Sequence, residues 1–181
     1  MSCFISDGYT LDCRNASIGG LKELWILGDS GNTITTYSTD VDGKIDSVTG
    51  TGTFYAFQLV KQSSSFTEEV QVNDTAQSVT FAPAIQVSLP KLDQALRNLF
   101  FDLVKQNELY VIVKDNNDRY WLVGLKNGLL VSAGSMQTGQ AYNDLNGIQM
   151  TMSGGEPEAT REIAVVNGDL ASVFSGITVQ S

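Results

Sequence analysis

The side chains best placed for chemistry are acidic: Asp115 and Asp118 in the run Asp115-Asn116-Asn117-Asp118, the adjacent pair Glu68 and Glu69, and the alternating pair Glu156 and Glu158. The first group offers oxygens to calcium, and the other two offer a general acid and base. A calcium loop spaces its oxygens along a longer segment and closes it with a distal glutamate, and this run does neither. It reads as a turn, because Asn and Asp accept the positive φ that tight turns require. Neighbouring carboxylates on polar segments are solvated unless a pocket raises one pKa, and nothing in the sequence implies such a pocket. Ser135 and Ser153 lack an activating partner, since the chain contains no histidine and a Ser-His-Asp arrangement is therefore impossible. Asp144, Asn146 and Gly147, like Ser153-Gly154-Gly155, do not lie between a strand and the start of a helix as a phosphate loop must, so they read as turns. Tyr120 and Trp121 read as hairpin core rather than a base-stacking platform, because no basic residues surround them. The expectation is a chain with no catalytic, metal or cofactor site, and not an enzyme.

The bulk properties agree. There are 20 acidic against 11 basic residues, a net charge of -9, which disfavours a protein that grips phosphates but allows nucleic acid to move past without sticking. The absence of histidine removes the commonest general base and neutral metal ligand. Cys3 and Cys13 are too few for a zinc site. A disulfide between them is neither required nor excluded, with reduced thiols and cytoplasmic synthesis the favoured reading. No stretch approaches the roughly 20 apolar residues of a membrane span, and the start lacks an export signal, so a soluble protein without a membrane partner is expected.

The elements that would position these residues are mostly strands. A single domain, 1–181, is expected to be mainly β, an antiparallel β-barrel or sandwich with one flanking α-helix. The helix is placed at about 89–106, because Leu89, Leu92, Leu96, Leu99, Phe100, Leu103 and Val104 recur at three- and four-residue steps, with Ser88 as N-cap and Pro90 in the first turn. Residues 1–20 read as an extended lead-in, 21–27 as a strand closed by the turn formers 28–32, 33–37 as a short strand, and 51–59 as an alternating strand. Residues 61–75 are polar yet β-compatible and are followed by a strand over 77–87. They form either a mobile surface loop or a projecting hairpin arm that pairs with a neighbouring subunit. After the helix, 109–114, 119–124 and 129–132 read as a three-stranded meander, 133–146 as a linker, and 147–152, 160–166 and 177–180 as further strands.

The meander ELYVIVKDNNDRYWLVGLKNGLL (108–130), the segment GQAYNDLNGIQMTMSGGEPEA (139–159) and the opening SDGYTLDCRNASIGGLKELWIL (6–27) together resemble virion proteins of tailed phages, and most of all a phage tail tube protein. The resemblance covers about half of the chain and rests on strand-and-turn patterns rather than on catalytic motifs. It implies a barrel or sandwich with one helix, a long hairpin arm and an extended N-terminus. Such proteins stack hexameric rings into a hollow conduit for DNA and are similar to the tube proteins of type VI secretion. The implied partners are further copies of the chain and other tail proteins, and the implied location is the virion. A lumen lined by carboxylates would let DNA slide. The candidate subunit-interface residues are Phe4 and Tyr9 in the lead-in, and Phe66, Glu68, Glu69, Val70 and Val72 in the arm.

Other readings remain beside this one: a head-tail connector, a tail terminator or a decoration protein of the same virion. From a different class comes a β-rich module binding a glycan or host surface through Trp25 and Trp121.

Overall fold

A computed structural model describes residues 17–29, 31–166 and 168–180 of the chain. The candidates Phe4 and Tyr9, and both cysteines, lie outside the described residues. The strands are β1 (Leu21–Gly28), β2 (Thr33–Thr39), β3 (Ile45–Gln58), β4 (Ser65–Asn73) and β5 (Ser78–Pro90). After the helix α1 (Gln94–Val104) come β6 (Leu109–Asp115), β7 (Tyr120–Val123), β8 (Leu130–Gln137), β9 (Gly147–Ser153), β10 (Arg161–Ile163) and β11 (Phe174–Val179). Among the described residues the protein is thus mainly β with one α-helix, and the strands form two sheets packed in the manner of a sandwich.

The larger sheet is organised around β1 and β3. β1 pairs antiparallel with β6 on one side and with the end of β3 on the other, through Glu23↔Gln58 to Ile26↔Tyr55. From β6 the sheet runs through β7 to β10, whose single parallel pair Ile163↔Ile45 brings it back to β3. β2 lies antiparallel and β11 parallel to β3. Gly52 carries a φ of +128°, and a Cβ there would collide with Asn32 and Leu27, so a bulkier residue would push β3 off its neighbours. The smaller sheet has the order β4-β5-β9-β8, antiparallel throughout.

Two apolar cores follow from this arrangement. One fills the space between the sheets, where Leu24, Ile26, Val111, Val113 and Val123 meet Ile85, Val87, Leu89, Met150 and Met152. The other fills the inside of the curved larger sheet, with Trp25, Leu27, Ile45, Phe54, Tyr110, Ile112, Leu122 and Phe174. β1 and β6 are the wall between them, and alternate residues along each face opposite cores. This is why Leu109 to Val113 is apolar without a polar alternation: it has no wet face. Each such side chain contributes on the order of 1.5–3 kcal/mol of burial.

Three elements depart from the sequence reading. The helix begins at Gln94 rather than Leu89. Asp93 is the N-cap, its carboxylate accepting the Leu96 N–H at 2.8 Å. Ser88, Leu89 and Pro90 finish β5, with Leu89 opposite Ile148 and Pro90 opposite Gly147. Leu89 continues the two-residue spacing of Ile85 and Val87 just as well as it begins a helical stripe, and burial between the sheets decides for the strand. The expected meander also breaks. Leu129 makes an isolated bridge to Leu109, and the chain then leaves for the smaller sheet as β8, alongside β9. Finally, 133–137, read as linker, is the outer part of that strand.

Candidate assembly surface

The smaller sheet has one dry face and one wet face. Phe66, Ile85, Val87, Met150, Met152 and Val131 pack into the core between the sheets. The alternate positions form the outward face: Thr67, Glu69 and Gln71 on β4, Thr80, Ala84 and Gln86 on β5, Gln149 and Thr151 on β9, and Ala133 and Ser135 on β8. This face is built of hydroxyls, amides and methyls, together with the half-exposed Leu130 opposite Ser153. β5, β8 and β9 contain no charged residue at all, so Glu69 is its one charge and no Lys or Arg is present.

Both edges of this sheet are unpaired among the described residues: β4 bonds only to β5, and β8 only to β9. Soluble proteins normally guard such edges with lysine, proline, bulges or very short strands. β4 runs nine residues in unbroken register with β5 and has neither proline nor a basic residue. β8 runs eight, uncharged, with a single irregularity between Val131 and Ala133.

β4 and β5 also extend beyond the sheet. β9 covers β5 only from Ala84 to Pro90, so the hairpin from Glu69 to Thr80 stands free, turning through 74–77 and exposed along its length. The turn is held by Asn73, whose side chain accepts the N–H groups of Thr75 and Ala76. On one side of this arm Val70 faces Phe81 and Val72 faces Val79, giving an apolar strip open to solvent.

The base of the arm is anchored by 154–160. Phe81 and Glu156 exchange backbone hydrogen bonds at 2.8 and 2.7 Å, and Gly154 N–H donates to Pro83. Glu68 Oε1 accepts from the Thr160 N–H at 2.9 Å and from its hydroxyl at 2.6 Å. Glu156 is 4% exposed, and its carboxylate accepts the N–H groups of Lys126 and Asn127 at 3.1 and 3.0 Å. Burial pushes its pKa up, and these backbone donors pull it part of the way back. The carboxylate is therefore a structural plug under the turn at 126–128. Glu158 is separate from it, paired with Arg161 at 3.1 Å and held below its usual pKa by that guanidinium.

No protein-family model, curated protein or solved structure matches the chain. Function therefore rests on this surface.

The structure brings Phe66, Glu68, Glu69, Val70 and Val72 together on one strand but gives them different neighbours. Phe66 packs into the core, Glu68 anchors the base, Glu69 lies on the polar face and the two valines lie on the apolar strip. The turn Asp115 to Asp118 is a clamp. Asn117 bonds the Ile18 N–H at 2.9 Å and its carbonyl at 3.0 Å, Asn116 reaches the Gly19 carbonyl at 2.7 Å, and Lys22 and Lys114 pair with Asp118. It thereby fixes where the chain enters β1. Trp25 is 7% exposed and donates Nε1–H to the Gln180 carbonyl, while Trp121 packs at the rim of the core between the sheets. Among the described residues no group of three or more His, Cys, Asp or Glu is arranged to hold a metal ion, and no helix is long and apolar enough to cross a membrane. Sequence reasoning missed the plug at Glu156 and the outer part of the edge strand β8, 133–137. For that part the signal was its lack of both charge and proline, in a run otherwise read as linker.

Proposed function

We propose that the chain is a structural protein of a phage virion, a tail tube subunit that assembles with copies of itself into rings stacked as a conduit for DNA. The observation that carries this reading is the pair of unpaired edges on one sheet. The four strands alternate in direction, so β4 and β8 run opposite ways. A second copy set beside the first in the same orientation then continues the antiparallel ladder, β4 against β8, with every unpaired backbone group answered. Such a contact is head-to-tail, and copies related by a fixed rotation close into a ring. The resemblance to tail tube proteins gives six as the expected number.

In that ring the dry face of each small sheet is already taken by its own larger sheet, so the polar face turns to the axis. Without Lys or Arg it has no grip on phosphates, and without aromatic rings it offers nothing for bases to stack on. The lumen in this reading owes its slipperiness to neutral hydroxyls and amides, with Glu69 as a single carboxylate per copy. The expectation of a wall of carboxylates is narrowed accordingly, since the other acidic residues among those described lie off this face. DNA passes without specific binding, other tail proteins cap the ends, and the location is the virion.

Negative-stain microscopy and sedimentation of purified protein test this. Rings or tubes are expected of the wild type. The double variant Thr67→Lys/Gln71→Lys should stay monomeric with its stability within about 0.5 kcal/mol, because both positions are exposed and lysine on an edge strand blocks pairing. A wild type that is monomeric at every concentration, or a lysine variant that assembles normally, refutes the reading.

A further inference from the structure

The lateral edges leave a second surface unexplained. Among the large apolar side chains exposed to solvent, six fall in two groups, Val70, Val72 and Val79 on the arm, and Leu99, Phe101 and Val104 on α1. The helix turns Leu96, Phe100 and Leu103 toward the protein. Four- and three-residue steps then place Arg97, Phe101 and Val104 on a different stripe, with Lys105 beside it. Phe101 and Val104 are each 46% exposed, and adjacent exposed apolar groups of this kind are what an interaction surface presents.

The two groups lie at opposite ends of the same strand. β5 begins at the arm with Ser78 and ends at Pro90, just before α1, a span of thirteen residues and about 40 Å at strand rise. Within one copy the two apolar groups therefore cannot meet. From Gln62 to Pro90 the only charged residues are Glu68, Glu69 and Asp74, all acidic, whereas the stripe of α1 that holds Phe101 and Val104 carries Arg97 and Lys105, with Asp93 and Asp102 at its two margins.

We propose that the arm of one copy docks on the α1 stripe of another, Val70, Val72 and Val79 against Phe101 and Val104, with Asp74 facing the cations. The occupant is a second copy of this chain, chosen by the match of an acidic apolar strip to a basic apolar stripe at the other end of the molecule. The contact runs along β5, at right angles to the lateral β4-to-β8 pairing. It is head-to-tail and does not close on itself, so it propagates a filament where lateral pairing closes a ring. This inference rests on the proposed assembly and adds to it the surface that receives the arm.

Paired cysteines test it in the full chain, on a Cys3→Ser/Cys13→Ser background with folding checked by circular dichroism. Val72→Cys with Phe101→Cys, treated with a short bis-maleimide after assembly, should yield a ladder of crosslinked multimers, while each single variant yields none. A parallel pair, Thr67→Cys with Ser135→Cys, reports lateral pairing. Lateral crosslinks without the arm-to-helix ladder overturn this inference and leave the assembly reading standing. Dimers from Val72→Cys alone place arm against arm and also overturn it. A protein that gives neither crosslink and stays monomeric overturns both.

Discussion

Gly134 on β8 lies under the ring of Phe100, which is how α1 is seated on the smaller sheet. A Cβ added at Gly134 would lie 2.8 Å from Phe100 Cε2 and closer still to Cζ, against 3.4 Å or more for ordinary contact. Gly134→Ala must therefore push the ring outward. Overpacking of this kind costs about 1–3 kcal/mol, less about 0.4–1 kcal/mol recovered because alanine restricts the unfolded chain, for a net loss of about 1–2 kcal/mol. Phe100→Leu removes the two atoms that collide. Alone it should cost less than about 1.5 kcal/mol, since the ring is only half-buried and the swap keeps an apolar group of similar shape. In the double variant the new methyl occupies the space the ring vacates, so the combined loss should fall short of the sum by at least about 1 kcal/mol. Urea unfolding followed by tryptophan fluorescence, at concentrations where the protein is monomeric, measures all three. Additivity to within about 0.5 kcal/mol would refute the seating of α1 by this contact.

Two further outcomes concern titratable groups. Glu156→Gln leaves one oxygen where the carboxylate has two, so one of the Lys126 and Asn127 N–H groups loses its acceptor, and thermal unfolding should register a loss of about 1–3 kcal/mol. Because burial raises the Glu156 pKa above its usual 4.5, the folded state favours the protonated form. The wild type should therefore gain stability relative to Glu156→Gln as pH falls from neutral through that raised pKa. A gap that stays constant or narrows would contradict this. Glu158 has the opposite sign: Arg161 lowers its pKa, so its contribution is present above pH 4.5 and is lost on further acidification. Arg161→Gln should flatten the acid limb of the stability profile, and an unchanged limb would refute that role.

The sequence was most readable where one local rule acted alone. Asp115 to Asp118 is a turn by residue chemistry, and β7 follows from Tyr120 to Val123 with no competing pattern. It was least readable where two rules agreed with the same residues. Leu89 satisfies both a helical and a strand period, and only the core between the sheets, which no local window contains, selects the strand. The continuation of β8 over 133–137 was missed because its outward residues Ala133 and Ser135 and the small Gly134 are what a linker also uses. Gly134 is small because Phe100, far away in sequence, lies on it. The clamp made by Asn116 and Asn117 was equally hidden, since its partners Ile18 and Gly19 are nearly a hundred residues earlier. The polar face could be seen only after register assigned alternate residues to opposite sides, and the two open edges only once the pairing of both sheets was known.

The double-sided wall of β1 and β6 has a consequence for how the chain acquires its structure. Residue 24 meets residue 113 and residue 26 meets residue 111, so neither core can be sealed until both strands are in place. The hairpin of β4 and β5 needs only a short turn to close, but its free end buries almost nothing and gives little reward for closing early. The decisive step is thus a late, long-range one with a large entropic cost of closure. During synthesis, β1 must wait exposed while some eighty residues follow it. A strand that is apolar on both faces lacks its β6 partner throughout that interval, and sequestering Leu21 to Leu27 is the task that a chaperone for this protein would have to perform.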